Sequence, residues 1–129
     1  MIKIRPTKDT PAVYFNPEKG VFKMFGRSLP ENSLKFWIPI LQEIKKGVAS
    51  NKLDIRIKME YYNTSSSKCI FDLFRAFKSL EEKGTQLSIR WYYEEFDEDI
   101  LEAGEDYKSL LGLPVKFIEE KSRSLQQSA

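Results

Sequence analysis

Two stretches of this chain alternate strictly between apolar and polar residues. From Leu53 to Tyr61 one parity holds Leu53, Ile55, Ile57, Met59 and Tyr61, and the other Asp54, Arg56, Lys58 and Glu60. From Leu87 to Tyr93 the same rhythm sets Leu87, Ile89, Trp91 and Tyr93 against Ser88, Arg90 and Tyr92. A period of two predicts strands with one buried face. Between them Ile70, Leu73, Phe74, Phe77 and Leu80 recur at helical spacing, which predicts an amphipathic helix ended by Gly84. The spacing of Leu34, Trp37, Ile38, Leu41, Ile44 and Val48 predicts an earlier helix, capped by Asn32 or Ser33, in which Pro39 marks a kink or a second start. A third helix, from about Asp97 to Leu111, follows from Ile100, Leu101, Tyr107, Leu110 and Leu111, with Gly104 a weak point.

Towards the N-terminus, Ile2 and Ile4 fit a short edge strand. Ala12 to Phe15 and Val21 to Phe25 fit a hairpin closed by Asn16-Pro17-Glu18-Lys19-Gly20. Gly26 to Pro30 reads as a loop, and Val115 to Ile118 as a last short strand. A hairpin followed by helix–strand alternation predicts an α/β fold whose mixed sheet has a parallel portion joined by right-handed crossovers. A parallel sheet covered on both faces has strands that are apolar throughout. The strict alternation here therefore places the helices, about three of them, on one face, with Arg56, Lys58, Ser88 and Arg90 towards solvent on the other. Leu53, Ile55, Ile57, Met59, Leu73, Phe77, Leu87, Ile89 and Trp91 are the expected core. Residues 1–120 read as one domain, and residues 121–129 as a flexible polar tail.

Composition narrows the chemistry. The chain has 129 residues, 41% of them hydrophobic, and a mean hydropathy of −0.46. No stretch has the apolar length of a membrane span, and MIKIRPTKDT lacks the apolar core of a signal peptide, so a cytoplasmic protein is expected. The absence of histidine removes imidazole bases and histidine ligands, and a lone cysteine, Cys69, supports neither an internal disulfide nor a zinc site of the usual kind. No cofactor and no metal are expected. The basic residues look scattered along the chain, and Trp91 and Tyr93 share the core parity, which argues against a nucleic-acid surface.

One turn stands out. Where the first alternating strand hands over to its helix lie Asn63, Thr64, Ser65, Ser66, Ser67 and Lys68. The first N–H groups of a helix are unpaired and its dipole favours negative charge there. Capping needs one hydroxyl or amide, and this turn offers four hydroxyls behind an asparagine. Ser66-Ser67-Lys68 is similar to the end of a phosphate-binding loop, but the glycines of that loop are absent. A second feature is electrostatic. From Glu94 to Asp106 the chain carries eight carboxylates and no basic residue, leaving 21 basic against 11 acidic residues elsewhere. That segment reads as a solvated acidic face, with a docking patch for a basic partner (Glu94, Glu95 and Asp97 foremost) and a divalent-cation site as alternatives. Calcium-loop spacing is absent.

Four separate runs carry a family resemblance: Gly26-Arg27-Ser28 with Pro30-Glu31-Asn32, Glu60 through Cys69, Trp91-Tyr92-Tyr93-Glu94-Glu95, and Leu101 through Asp106. Together, in order over roughly residues 10 to 118, they resemble the SiaC family of small bacterial regulatory phosphoproteins. The resemblance implies a fold similar to the STAS or anti-anti-sigma domain, with helices against one face of a mixed sheet, and a switch protein rather than an enzyme. It further implies phosphorylation by a GHKL-type serine/threonine kinase, removal of the phosphate by a PPM-type phosphatase, and activation of a diguanylate cyclase by the unphosphorylated form. Cyclic di-GMP signalling and biofilm growth would be the output. The family's phosphorylated threonine corresponds to Thr64, and Asn63, Ser65, Ser66, Ser67 and Lys68 then belong to the surface its partners meet. Two other functions stay open: partner switching on an anti-sigma factor, and a small domain that binds an anion at the hydroxyl turn.

Overall fold

The computed structural model describes residues 1–121, so residues 122–129, nearly all of the tail expected to be flexible, lie outside the described residues. Six strands and three helices follow in the order β1 (Ile2–Ile4), β2 (Ala12–Asn16), β3 (Val21–Ser28), α1 (Ser33–Lys45), β4 (Lys52–Tyr62), α2 (Thr64–Glu82), β5 (Gln86–Glu94), α3 (Glu98–Leu111) and β6 (Val115–Glu120). The strands lie side by side in chain order. β1, β2 and β3 pair antiparallel, while β3 to β6 are parallel, each parallel pair joined by one helix. Strands that advance in one direction through crossovers of one hand send every helix to the same side. The expected mixed sheet with its helices on one face is what forms.

The core lies between that face and the helices. Phe15, Phe22, Met24, Leu53, Ile55, Ile57, Ile89 and Trp91 from the sheet meet Trp37, Ile40, Ile44, Leu73, Phe74 and Phe77 from the helices. Aromatic edges organise it: Phe22 meets Phe77 at 5.3 Å between centroids, and Phe74 stacks on Tyr107 at 4.6 Å. The indole N–H of Trp91 donates to the Ile100 carbonyl at 2.9 Å, so a fully buried polar atom stays paired.

Several expectations change. β3 runs on through Gly26 and Arg27 to Ser28, where a loop was expected, because β4 is long enough to pair with it. α1 is a single helix despite Pro39. Its buried side is Ser33, Trp37, Ile40 and Ile44, whereas Leu34 and Ile38 point outwards, at 62% and 44% exposure. The apolar stripe of this helix is wider than the surface available to cover it. Leu110 is likewise exposed on α3. Gly104 is a close approach rather than a weak point: a Cβ built there lies 2.6 Å from the Trp91 indole and 2.9 Å from the Phe117 ring. Only glycine lets α3 settle this low on the sheet.

Tyr61 also leaves the core. Gly26 pairs with Met59 but Arg27 pairs with Tyr61, so Glu60 is an extra residue in β4. A bulge of this kind reverses the side-chain alternation beyond it. Tyr62 turns inwards against the core and Tyr61 turns out, with the Arg27 guanidinium 5.7 Å from its ring centre. On the open face, Arg56, Lys58 and Arg90 are half-buried rather than fully exposed, because charged neighbours crowd them. Lys58 reaches Glu120 at 2.7 Å and Glu94 at 3.4 Å, and Arg56 reaches Asp54 at 3.2 Å. The basic residues are not scattered, since several fall into register across this face.

Candidate functional site

The hydroxyl turn sits at the C-terminal end of β4, where the chain passes into α2. Asn63 is the cap of α2: its Oδ1 accepts from the Ser66 N–H at 2.9 Å, and its own N–H donates to the Ser28 carbonyl at 3.0 Å. The end of β3 is thereby tied to the start of α2. The four hydroxyls behind it have different environments. Ser66 is fully buried, its Oγ 2.7 Å from Ser28 Oγ, which also accepts from the Trp37 indole N–H at 3.3 Å. Ser65 is exposed but engaged, donating to Asn63 Oδ1 at 3.1 Å and lying 2.7 Å from Ser33 Oγ. Ser67 is half-buried. Thr64, the first residue of α2, is exposed, and among the described residues its hydroxyl takes part in no hydrogen bond. Lys68 is exposed one turn further along.

Thr64 opens on a groove of about 390 Å³ between the end of β4, the start of α2 and the start of α3. Tyr61, Tyr62, Asn63 and Ser67 line it on one side, and Asp97, Asp99, Ile100 and Ala103 on the other, with Glu60 at the rim. The first turn of α2 holds no acidic residue, so its N-terminal dipole is uncompensated, and the nearest carboxylates stand across the groove. Of the acidic segment, Asp97 is the cap of α3, accepting from the Ile100 N–H at 3.1 Å, and Glu94 pairs with Lys58. Glu95 donates its N–H to the Glu120 carbonyl and is half-buried. Phe96 follows in the left-handed region at φ 71°, strained for a bulky residue, with its side chain 78% exposed. Glu98, Asp99, Glu102, Glu105 and Asp106 are all exposed. No group of three or more metal-ligating side chains is gathered among the described residues, nor is any described helix long and apolar enough to cross a membrane.

Tyr62, which lines the groove, is paired with the buried Tyr107. The Tyr62 and Tyr107 hydroxyls are 3.2 Å apart, and burial pushes both above the ordinary phenol range, Tyr62 further because Tyr107, Asp106 and Asp97 add to it. The folded state therefore holds these protons more tightly than the unfolded chain. The stability they contribute is complete below about pH 10 and is lost as pH rises through the raised folded values. Urea unfolding between about pH 9 and pH 11 is expected to show a fall of up to about 1.4 kcal/mol per pH unit per tyrosine at the alkaline end. Tyr62→Phe should reduce that slope; an unchanged slope would mean that the pair does not titrate with unfolding.

Sequence reasoning picked out the turn but not what surrounds it. Ser28 of β3 and Ser33 of α1 engage two of the serines, and Trp37 of α1 donates in turn to Ser28. Ser28 lies in the Gly26-Arg27-Ser28 run, which was legible as a motif without a role. Nothing in local pattern placed Glu60, Tyr61 and Asp99 around Thr64, since that depends on the bulge and on where α3 docks.

This small α/β domain sets an exposed threonine at a helix start beside an acidic groove. Solved structures share its fold. The crystal structure of the diguanylate cyclase SiaD in complex with its activator SiaC, from Pseudomonas aeruginosa, matches with a TM-score of 0.84 at 24% identity, over 93% of this chain and 100% of that one. SiaC of Pseudomonas aeruginosa by itself matches with a TM-score of 0.82 at 24% identity, over 92% and 98% of the two chains. An uncharacterized protein of Pseudomonas aeruginosa strain UCBPP-PA14 is 27% identical over 115 residues, which are 88% of this chain and 91% of that protein. The pattern of the SiaC family matches residues 4–120. This chain belongs to the SiaC family of regulatory phosphoproteins.

Proposed function

We propose that this protein is a non-enzymatic cytoplasmic signalling switch, phosphorylated reversibly on Thr64, whose unphosphorylated form binds and activates a diguanylate cyclase. The family supports a phosphoprotein, and SiaC in complex with SiaD supports a cyclase as the partner. The kinase is of the GHKL serine/threonine type and the phosphatase of the PPM type, as the family resemblance implies. The observation that carries the residue assignment is the division of labour in the turn. Ser66 is sealed, Ser65 is engaged twice and Ser67 is half-buried, while Thr64 is exposed and uncommitted.

Phosphorylation adds about −1.5 to −2 charge. The start of α2 tolerates it, and the fold survives because nothing around Thr64 is buried by its side chain. Asp97 and Asp99 stand across the groove and Glu60 at its rim, and these carboxylates offer the new charge no partner. The dianion stays hydrated at the centre of the surface that a partner must cover. Asn63, Ser65, Ser67 and Lys68 form that surface on one side, and Tyr61 and Phe96 supply exposed aromatic area at its edges, the residue type on which binding energy concentrates. The test is mass spectrometry of the protein after incubation with its cognate kinase and ATP. One phosphate on Thr64, and none on Thr64→Ala, is expected. Phosphate on Ser65, Ser66 or Ser67 with Thr64 bare would overturn the residue assignment, and no phosphate at all would overturn the switch.

The acidic end beside Thr64 guides docking in this reading. Charge of one sign accelerates association with an oppositely charged partner. Glu94→Gln, Glu95→Gln and Asp97→Asn together are expected to slow association with the cyclase several-fold at low salt. Asparagine preserves the α3 cap, so the fold is spared. Unchanged association rates in stopped flow would leave these carboxylates as solvation and capping only.

A further inference from the structure

The open face of the sheet carries a row that no local pattern reveals. Lys3 pairs with Tyr14, Tyr14 with Lys23, Lys23 with Arg56, Arg56 with Arg90, and Arg90 with Lys116. Five of the six strands thus contribute a cation to one line across the whole sheet, on the side that no helix covers. Like charges directly opposite one another destabilise a sheet. Only Arg56 of this row has a carboxylate within ion-pair distance among the described residues. A neutral polar residue would serve the fold better at the other positions, so the row answers to something outside the fold.

The opposite charge is on the other side of the same molecule. Glu98, Glu102 and Glu105 lie at i, i+4 and i+7 on the exposed side of α3. Their mean axial spacing is about 5 Å, from the helical rise of about 1.5 Å per residue. Adjacent strands are about 4.8 Å apart, so a helix laid across the strands sets these three carboxylates against three neighbouring strands. α3 is about 21 Å long and the six strands span about 24 Å, so the lengths match as well. A helix of this charge and spacing is present in every copy of the chain. Within one molecule the two surfaces face apart and cannot meet.

We propose that the open sheet face docks the acidic α3 of a second copy, giving a head-to-tail, salt-sensitive self-association. The contact is heterologous: a docked pair keeps one free sheet and one free helix, so it extends to rings or short filaments rather than stopping at a symmetric dimer. Since Asp97 and Asp99 at the start of α3 also line the Thr64 groove, the docked copy has its switch site beside the contact.

Sedimentation velocity of the full chain tests this. At about 20 mM salt the mean mass is expected to rise with protein concentration, and at about 500 mM the association is expected to weaken at least tenfold, because exposed charge pairs are screened within about 4 Å there. Lys23→Ser with Arg90→Ser should be monomeric at low salt, and so should Glu102→Gln with Glu105→Gln. Mixed, the two variants retain one intact helix and one intact sheet and should form a one-to-one heterodimer that grows no further. That capped dimer also shows that both variants are folded. A parent chain that stays monomeric at low salt would overturn the proposal, as would association that persists in either variant alone. Monomers that bind a dT12 oligonucleotide, and lose it on Lys23→Ser with Arg90→Ser, would replace the second copy with single-stranded nucleic acid.

Discussion

Phe77→Ala is expected to cost about 3–5 kcal/mol of folding stability, the range for a large aromatic truncated in a core that cannot collapse around the loss. Phe77 is fully buried and touches both layers, with Phe22 of β3 at 5.3 Å and Phe74 of its own helix at 5.7 Å. Removing the ring takes away the contact that seats α2 on the centre of the sheet. Urea unfolding followed by tryptophan fluorescence measures it, with Trp37 and Trp91 both in the core. A loss below about 1 kcal/mol would mean that α2 packs by another face. Because α2 begins at Thr64, the same variant tests whether the site depends on that seating.

Phosphorylated Thr64 is expected to bind the cyclase at least 100-fold more weakly than the unmodified protein. Covering a dianion that finds no cation costs several kcal/mol, and each 1.4 kcal/mol is about tenfold in affinity. The groove makes the penalty hard to escape, since Glu60, Asp97 and Asp99 line the space into which the phosphate would project. Thr64→Asp should show a smaller loss because one carboxylate carries less charge, while Thr64→Ala should bind like the unmodified form and ignore the kinase. Titration calorimetry of the phosphorylated and unmodified proteins decides it. Equal affinities would separate phosphorylation from partner binding and leave the switch without its mechanism.

The elements of this fold were legible because each depends on neighbours in sequence. Period-two alternation announced β4 and β5, helical spacing announced α2, and the absence of apolar residues on one parity announced a sheet covered on one side only. Phe77 as core follows from position within such an element, whereas Thr64 was singled out among the four hydroxyls by the family resemblance. What stayed hidden depends on contacts between distant segments. The bulge at Glu60 exists only because β3 pairs with β4 out of step, and it alone decides that Tyr62 turns inwards and Tyr61 outwards. Gly104 seemed a flaw in a helix until Trp91 and Phe117 were found against it. Leu34 and Ile38 have the spacing of a buried face but lack a neighbour to cover them, since helix spacing says which residues share a side and not how wide a surface will meet it. The basic residues seemed scattered because strands that are adjacent in space are separated by whole helices in sequence. Pattern along the chain determines the parts, whereas register between them decides which charges stand in line and which hydroxyl is left open.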